Sequence, residues 1–388
     1  MLRVVISGGG TGGHIYPAIA IGRELMKLNP EAKVIFIGGK GQRESNIVPK
    51  FGLDFVPILV EGFPRRLSSR WFKVALKVPM GLIKSLHVLR NFSPSVVIGT
   101  GGYVCGPVLL AALLLHVPIL IQEQNAMPGI TNRMMARWAD EIHIPFPSAA
   151  RFFPASSKGN IRITANPIRS EIMKSSNGRE KLGLSKDKLT IAFVGGSQGA
   201  RSINSAAVGA LKHLVKFAPD VQMIHQTGKS DLLTVKEAYD KSPFEAIVQP
   251  YFHTIEDVYA ATDLMVCRSG AMTLAEITAC GLPAVLIPYP FATGDHQTFN
   301  AQALEKRGAA VMLKDDQLTG ESLADVLISL IQDRKKLSKM AQRSHSLGRS
   351  GAAQKIAKAA LSLAHGSNHG DSETQRNFSY FPSVPLCL

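Results

Sequence analysis

Glycine-rich segments recur at four places where a strand-like run of residues passes into a helix-like run. They span residues 8–13, 99–106, 195–200 and 268–272. Backbone N–H groups at the start of a helix and the positive end of its dipole attract anions. Glycine lets phosphate oxygens approach the backbone, because it has no Cβ. A plain strand-to-helix turn would explain any single segment, but four at equivalent places predict a phosphorylated ligand.

Two side chains beside these segments are suited to chemistry. His14 directly follows the first segment and Glu276 follows the fourth. We expect the His14 imidazole at the edge of a cleft beside an anion site, where a side chain that changes charge near neutral pH suits general base catalysis. We expect the Glu276 carboxylate to reach both hydroxyls of a ribose. A structural histidine and a solvated helix glutamate are the alternatives.

The first segment also fits the Gly-x-Gly-x-x-Gly pattern of dinucleotide-binding proteins, which alone is weak evidence. Dehydrogenases of that type carry Asp or Glu after the second strand, where the carboxylate binds the ribose. Here residues 34–37 are followed by Gly-Gly-Lys. That sequence disfavours NAD, and less strongly NADP.

The sequence contains no Asp-x-Asp pair. Metal-dependent sugar transferases commonly use such a pair to hold Mg²⁺ or Mn²⁺ on the donor diphosphate. We therefore expect no cofactor or metal to be required, with backbone amides and a helix end stabilising the departing charge. Free Mg²⁺ is expected at most to stimulate, by screening the diphosphate.

Composition favours a soluble chain of two domains, with 388 residues, 45% of them hydrophobic and 19% charged. The formal net charge of +15 favours anionic partners, and nucleic acid, phosphorylated metabolites and acidic lipid are all candidates. Four widely separated cysteines disfavour a zinc site or a disulfide framework and suit a reducing cytoplasm. A strand-like run follows Met1 at once, so we expect no secretion signal.

Strand-like and helix-like segments alternate along the chain, which predicts parallel sheets with helices on both faces. One layout occurs twice: a strand at 3–7 with a helix at 17–28, and a strand at 189–194 with a helix at 202–217. We expect an α/β fold of two Rossmann-like, doubly wound domains facing a cleft, since ligands bind outside the carboxyl ends of parallel strands. Proline disfavours helix at the residue before it, so the division is placed at residues 166–167.

The apolar stretch at 104–121 is interrupted by two prolines and a histidine. A helix of about ten residues is ~15 Å long, whereas a bilayer core is ~30 Å thick. We therefore expect a buried helix at 107–116 and a buried strand at 119–122 rather than a membrane span. A last helix at 352–364 precedes a polar tail that we expect to be disordered.

Five motifs in this order resemble those of a known bacterial family. They are Gly9-Gly10-Thr11-Gly12-Gly13-His14, Gly99-Thr100-Gly101-Gly102-Tyr103, Glu123-Gln124-Asn125, Gly195-Gly196-Ser197-Gln198-Gly199 and Asp295-His296-Gln297-Thr298. The family is MurG, the UDP-N-acetylglucosamine (UDP-GlcNAc) transferases that act on a lipid-linked muramyl-pentapeptide. The resemblance extends from about residue 2 to 364 and leaves out only the tail.

This resemblance implies a GT-B fold and an inverting transfer of GlcNAc to the 4-hydroxyl of undecaprenyl-pyrophosphoryl-N-acetylmuramyl-pentapeptide, in peptidoglycan synthesis. Residues 1–166, with a returning helix at about 345–365, would receive the acceptor and face the membrane. Residues 167–344 would bind UDP-GlcNAc, and residues 366–388 would form the tail. The enzyme would be peripheral on the cytoplasmic side of the cell inner membrane. Anionic lipid and cell-wall synthesis proteins would be further partners, and nucleic acid would not.

The resemblance also implies roles for individual residues. Ser197 and Gln297 would contact the diphosphate, Glu276 the ribose, and Arg169 and the Ile255 backbone the uracil. The donor would be lined by Ala271, Met272, Thr273, Leu274, Ala275 and Glu276. The reacting sugar would be faced by Thr11, Gly12, Gly13 and Asn125. This chain departs from the pattern at His296, where some members have a glutamine that gives the donor a second amide contact.

In the implied mechanism, the muramyl 4-hydroxyl attacks the anomeric carbon of GlcNAc as UDP departs. His14 is the first candidate for the general base, and Glu123 is the second. Three alternatives stay open: another UDP-GlcNAc enzyme on the same fold, such as a 2-epimerase or a glycolipid synthase; an NAD(P) oxidoreductase; and a non-catalytic basic binding protein.

A basic segment without acidic residues extends between Glu61 and Glu123. Its basic residues include Arg65, Arg66, Arg70, Lys73, Lys77, Lys84 and Arg90. Four of them, from Arg66 to Lys77, are spaced 4, 3 and 4 apart, which places them along one side of a helix. We expect this patch to dock on anionic lipid, with Pro79 and Gly81 interrupting the helix. An ordinary packed helix with a solvated basic face is the alternative.

Overall fold

The computed structural model describes residues 1–60, 70–173, 175–196, 198–348 and 351–366, with only the backbone described at residues 70–77, 170 and 293. Within these residues, a first sheet has seven parallel strands in the order β3-β2-β1-β4-β5-β6-β7. The strands are β1 (Arg3–Ser7), β2 (Lys33–Gly39), β3 (Asp54–Ile58), β4 (Val96–Gly99), β5 (Ile119–Gln122), β6 (Glu141–Ile144) and β7 (Ile161–Ile163). The helices among them are α1 (Gly12–Leu28), α2 (Arg43–Ile47), α3 (Arg70–Phe92), α4 (Cys105–Leu114) and α5 (Ile130–Met135).

A second sheet follows, with six parallel strands among the described residues in the order β10-β9-β8-β11-β12-β13. The strands are β8 (Leu189–Val194), β9 (Val221–Gln226), β10 (Ala246–Gln249), β11 (Leu264–Cys267), β12 (Ala284–Leu286) and β13 (Ala310–Met312). The helices are α6 (Gly178–Leu182), α7 (Arg201–Leu214), α8 (Leu232–Asp240), α9 (Ile255–Ala261), α10 (Ala271–Ala279), α11 (His296–Glu305), α12 (Gly320–Gln332), α13 (Arg334–Leu347) and α14 (Ala352–Gly366). The expected α/β architecture of two doubly wound units is confirmed.

Both faces of the first sheet are buried, because side chains alternate between the two faces of a strand. On one face Val4 and Ile6 pack with α1 and with Ile356 of α14. On the other face Val5 packs in a cluster with Leu89 of α3 and residues of α4. The near-continuous apolar run of β1 follows from this double burial.

The apolar stretch at 104–121 forms α4 and β5, as expected. Among the described residues, no helix combines the length and apolar character that crossing a bilayer requires. The predicted division at residues 166–167 stays a prediction, and those residues lie between β7 and the second sheet.

Two sequence-based expectations about helices are wrong. The first glycine segment is shorter than expected, since α1 begins at Gly12 and His14 lies in its first turn. The predicted interruption at Pro79 and Gly81 is absent, because α3 continues through both residues. A Cβ at Gly81 would lie 3.0 Å from the Leu59 carbonyl oxygen. Close packing of α3 on the sheet therefore uses this glycine and offsets the cost of the proline.

Parallel strands place their carboxyl ends at one edge of each sheet, and these two edges meet. Asn300 of α11 donates to the Asn125 side-chain oxygen at 3.4 Å and accepts from the Ala126 N–H at 3.0 Å. Farther along the cleft, Arg23 of α1 forms an ion pair with Glu171 at 2.8 Å. The glycine segments after β1, β4, β8 and β11 consequently surround one cleft.

Candidate active site

The glycine segment after β1 is closed in part by a carboxylate of the same chain. Glu44 of α2 is fully buried and accepts the Gly39 N–H at 3.0 Å and the Gly10 N–H at 3.4 Å. A Cβ at Gly9 would lie 2.3 Å from a Glu44 oxygen. The Gly10 N–H is therefore used within the chain and is not offered to a ligand. The N–H groups of Gly12 and Gly13 lie in the first turn of α1, which a helix leaves without an internal partner.

The segment after β4 packs directly on the first segment. The Gly9 N–H donates to the Gly101 carbonyl at 3.3 Å. Gly102 has a φ of +85°, and a Cβ there would lie 2.3 Å from the Gly9 carbonyl oxygen. Contact between the two backbones thus accounts for these glycines without any ligand.

His14 is held at the point where these segments meet the chain after β5. Its Nδ1 atom lies 2.9 Å from the Thr100 carbonyl oxygen and 2.7 Å from the Gln124 side-chain oxygen. The imidazole is half-buried. His14 was expected to precede the helix. It lies instead in the first turn of α1 and contacts two loops, at Thr100 and Gln124.

Glu123, the second candidate for the base, is fully buried. Its carboxylate accepts the N–H groups of Gln124 and Asn125, both at 2.8 Å, and of Gly129 at 2.9 Å. It also accepts from the side-chain amides of Asn125 at 3.1 Å and Asn132 at 2.9 Å. Five donors occupy its lone pairs, so this carboxylate shapes the segment that carries Asn125.

A cavity of about 550 Å³ lies at the carboxyl edge of the second sheet. Its wall is formed by the segment after β8, the start of α7, the start of α10 and the segment after β12. The lining residues include Gly195, Gly196, Gly199, Gly270, Thr273, Tyr289, Phe291 and Gln297. The N-termini of two helices meet here, which is the arrangement expected for a diphosphate.

The expected donor residues fall into two sets. Thr273 and Gln297 line the cavity, and the Gln297 side-chain oxygen accepts the Tyr289 N–H at 3.0 Å. Ala271 and Leu274 of α10 are buried, so their side chains do not face the cavity. Met272 and Ala275 are half-buried. Ser197 lies outside the described residues.

Glu276 lies in a mostly buried cluster rather than on a solvated face. Its carboxylate accepts a hydrogen bond from the Tyr259 hydroxyl at 2.8 Å and lies 3.6 Å from the Arg169 guanidinium. Burial raises the pKa of Glu276, while the charge of Arg169 and the bond from Tyr259 act in the opposite direction. Ile255, which begins α9, is half-buried.

Arg169 bridges the two halves of the molecule. Its guanidinium carbon lies 5.4 Å from the centre of the Tyr16 ring of α1. Its Nε atom is buried and has no hydrogen-bond partner among the described residues. An unused donor therefore lies beside Glu276, next to the site expected for a nucleoside.

Sequence reasoning missed the side chains that support these residues, including Glu44, Tyr16 and Tyr259. It also missed Arg268, which lines the cavity and pairs with Asp315. In the sequence, the only signals for Arg268 are its positive charge and its position in a glycine-rich segment. Among the described residues, no group of three or more His, Cys, Asp or Glu side chains is placed to hold a metal ion.

The fold and the cavity place the chain in a known class. Residues 4–144 match the glycosyltransferase family 28 N-terminal domain, and residues 190–360 match the glycosyltransferase family 28 C-terminal domain. The chain is therefore a two-domain family 28 glycosyltransferase of the GT-B fold.

Within that class, relatives of one kind are 41–44% identical to this chain. A UDP-N-acetylglucosamine–N-acetylmuramyl-(pentapeptide) pyrophosphoryl-undecaprenol N-acetylglucosamine transferase of Desulforudis audaxviator is 44% identical over 356 residues, which cover 90% of this chain and 95% of the relative. The chain belongs to this family, the MurG family.

A solved structure of the same family agrees with that assignment. The crystal structure of Acinetobacter baumannii MurG is similar with a TM-score of 0.76 and 29% identity, covering 93% of this chain and 100% of that one. A UDP-GlcNAc 2-epimerase of Neisseria meningitidis has a TM-score of 0.66 at 14% identity, covering 93% and 100%. At that identity the epimerase shares the fold alone.

Proposed function

We propose that this chain transfers GlcNAc from UDP-GlcNAc to the 4-hydroxyl of lipid-linked N-acetylmuramyl-pentapeptide, with inversion at the anomeric carbon. The names of the relatives supply the two substrates. One observation supports the proposal most strongly: His14 lies at the edge of the first sheet, and the cavity lies at the facing edge of the second sheet. The two edges are joined by the 3.4 Å contact of Asn300 with Asn125.

The reaction is a single displacement. The muramyl 4-hydroxyl oxygen forms a bond to the anomeric carbon, and the bond from that carbon to the β-phosphate oxygen breaks. UDP leaves with the electron pair of the broken bond, and His14 accepts the hydroxyl proton. Attack opposite the leaving group inverts the configuration of the sugar.

The second half of the chain holds the donor in this proposal. The N-terminal turns of α7 and α10 stabilise the negative charge that develops on the departing diphosphate. The Glu276 carboxylate accepts hydrogen bonds from the ribose hydroxyls, since it has lone pairs beyond the one that Tyr259 uses. The unpaired Nε–H of Arg169 supplies a donor for a uracil oxygen.

Among the two candidates for the base, the contacts favour His14. The Glu123 carboxylate is fully buried and surrounded by five donors. Taking up a proton would oblige it to give up at least one of these hydrogen bonds. We therefore assign Glu123 to positioning the segment that carries Asn125.

Transfer of labelled GlcNAc from UDP-GlcNAc to the muramyl lipid acceptor tests the proposal directly. We expect label to appear in the lipid product in amounts equal to the UDP released. A 2-epimerase would instead return a nucleotide sugar with altered configuration at carbon 2 and no labelled lipid, and that result would replace the proposal.

A membrane-facing surface is the second part of the proposal. Large apolar side chains are exposed on α3, α4, α5 and the turn after α5, which pack against one another in sequence. They are Met80, Ile83, Leu114, Ile130, Met134 and Trp138. The last three are spaced four residues apart, and Arg137 lies 5.0 Å from the Trp138 ring centre.

Apolar and cationic side chains together suit the headgroup region of an anionic bilayer. We call these six residues the apolar face and propose that it holds the enzyme peripherally on the cytoplasmic side of the inner membrane. Of the basic residues predicted for this role, Lys84 and Arg90 lie on α3. The side chains of Arg65, Arg66, Arg70, Lys73 and Lys77 lie outside the described set.

A further inference from the structure

Gln124 connects the His14 imidazole to the interior of the first domain. Its side chain is almost fully buried. The side-chain oxygen lies 2.7 Å from His14 Nδ1. The side-chain nitrogen donates to the carbonyl oxygens of Thr100 at 2.7 Å and Gln122 at 3.0 Å, and to the Gln122 side-chain oxygen at 2.6 Å.

These partners fix which way the Gln124 amide is oriented. Backbone carbonyl oxygens only accept hydrogen bonds, so the atom that faces the Thr100 and Gln122 carbonyls must be the NH₂ group. The Gln122 amide is fixed in the same way, because its nitrogen donates to the Glu123 carbonyl at 2.8 Å. The oxygen of Gln124 is therefore the atom that faces His14.

The orientation of the amide determines where the imidazole carries its proton. Nδ1 faces two acceptors, the Gln124 side-chain oxygen and the Thr100 carbonyl. An unprotonated Nδ1 would place three lone pairs against one another, whereas an Nδ1–H satisfies both acceptors. In the neutral imidazole, Nε2 is then the unprotonated nitrogen, and the described residues offer it no hydrogen bond.

We propose that Gln124 is a positioning residue for proton transfer, holding His14 in the tautomer whose Nε2 atom accepts the proton of the muramyl hydroxyl. The inference rests on the proposed role of His14 as the base. A neutral amide suits this task because it accepts the Nδ1–H without forming an ion pair with the imidazolium. His14 can then release its proton after each turnover.

Three variants separate this role from a merely structural one. Gln124→Met removes the acceptor at similar size. Gln124→Glu keeps an acceptor toward Nδ1, and its second oxygen must be protonated to donate to the Thr100 and Gln122 oxygens as the NH₂ group does. Gln222→Met is the matched control, since Gln222 is also fully buried and hydrogen-bonded but lies at β9, where it bonds Ser185 and Thr190.

Nitrogen NMR of ring-labelled histidine reads the tautomer without any substrate. The signals of His14 are identified by their absence in His14→Gln. We expect a protonated Nδ1 and an unprotonated Nε2 in the parent and in Gln222→Met, and a larger share of the other tautomer in Gln124→Met. A protonated Nε2 in the parent, or no change in Gln124→Met, would overturn the inference.

Kinetics supply the second readout. Gln124→Met should lower kcat by roughly 10- to 100-fold, less than the ~10²–10⁴ expected for loss of the base itself. The KM for UDP-GlcNAc should change less than twofold. Gln124→Glu should keep most of kcat, because its carboxyl keeps the acceptor for the Nδ1–H. In Gln124→Met the acidic limb of the kcat/KM profile should move to lower pH, because the imidazolium loses an acceptor for its Nδ1–H. A loss of kcat in a folded Gln124→Glu variant as large as that in Gln124→Met would contradict the inference.

The pH profile needs a control, because other titratable groups on the surrounding elements could also produce a limb. They are Tyr16, Glu44, Tyr103, Cys105 and Glu123 in the first half, and Arg169 and Glu276 across the cleft. Burial raises the pKa of the Cys105 thiol to about 11, so it stays neutral in the assay range. A limb that persists in His14→Gln belongs to one of the other groups. Absence of GlcNAc transfer by the parent protein would refute the proposed function. The NMR measurement of the His14 tautomer would remain valid, because it needs no substrate.

Discussion

The Glu276 carboxylate accepts a hydrogen bond from the Tyr259 hydroxyl at 2.8 Å inside a mostly buried cluster. Burial raises the pKa of Tyr259 well above its usual value, and the neighbouring carboxylate acts in the same direction. The proton therefore stays on Tyr259. The phenol orients Glu276 and leaves the remaining carboxylate lone pairs for a ligand.

This arrangement gives the first prediction. Two hydrogen bonds to ribose hydroxyls contribute ~1.5–3 kcal/mol each at most. Glu276→Ala should raise the KM for UDP-GlcNAc by up to roughly 10²- to 10⁴-fold, since ~1.4 kcal/mol corresponds to a factor of ten. The KM for the lipid acceptor should change little. Tyr259→Phe should show a smaller effect of the same kind, and Glu237→Ala, on an exposed helix position, should show none. An unchanged donor KM in Glu276→Ala would remove this residue from the site.

Loss of the base should affect kcat most strongly. His14→Ala should lower kcat by ~10²–10⁴, the range for general acid–base catalysis. Because His14 bonds two loops as well as lying in α1, the His14→Gln variant is the better comparison for folding. Circular dichroism and urea titration check that both variants fold. Near-normal kcat in a folded variant would require a different base.

We predict that transfer requires no bound metal, because the sequence contains no Asp-x-Asp pair. Turnover should continue after exhaustive treatment with a chelator, with at most partial stimulation on addition of Mg²⁺. The measurement is the rate of UDP release in matched buffers with and without metal. Complete loss of activity, restored by one equivalent of metal, would contradict the prediction.

The apolar face should control binding to lipid. Replacing Ile83 and Met134 together by serine should reduce sedimentation with anionic vesicles and leave UDP binding intact. Reversal of Lys73 and Lys77 to glutamate should act in the same direction, since each basic residue near the surface contributes ~1 kcal/mol. Leu233→Ser is the control, because Leu233 is even more exposed than Ile83 and Met134 but belongs to α8 of the second half. Equal vesicle binding by all variants at low salt would exclude this surface.

Buried histidines make stability depend on pH. Burial lowers the pKa of His143 to about 4, whereas an unfolded histidine titrates near ~6.5. Between these values the unfolded chain binds the proton and the folded chain does not, so the free energy of unfolding falls as pH is lowered. The contribution of His143 is about 3 kcal/mol over the whole window. In His143→Gln the fall between pH 6.5 and 4 should be shallower, while His87→Gln, at an exposed position, should match the parent in urea titrations. Parallel curves for all three proteins would refute the assignment.

Local sequence patterns predicted the strands and the two-unit architecture well. Residues 189–194 form β8, and residues 119–122 form β5, as expected. Strands were predictable because a run of β-branched residues before a glycine segment can be recognised within a short stretch of sequence. Of the residues expected to bind the donor, Thr273 and Gln297 line the cavity, and their roles stay predictions.

Contacts between distant segments were not predictable in this way. Glu44 occupies the first glycine segment from 34 residues away, and nothing near it in the sequence indicates that partner. Pro79 illustrates the converse, because a local rule predicted an interruption that packing on the sheet overrides. The tautomer of His14 depends on Gln124, which is 110 residues distant.

The return of α14 to the first sheet has a mechanical consequence. The chain passes between the two halves twice, once after β7 and once between α13, which packs on α10, and α14, which packs on α1. Two connections oppose rotation of one half against the other more strongly than one connection would. Deleting the chain from Ala352 onward would remove one connection and expose Val96 and Ile98 of β4 beneath it. A truncation at the end of the gene would therefore damage the half of the enzyme that the beginning of the gene encodes.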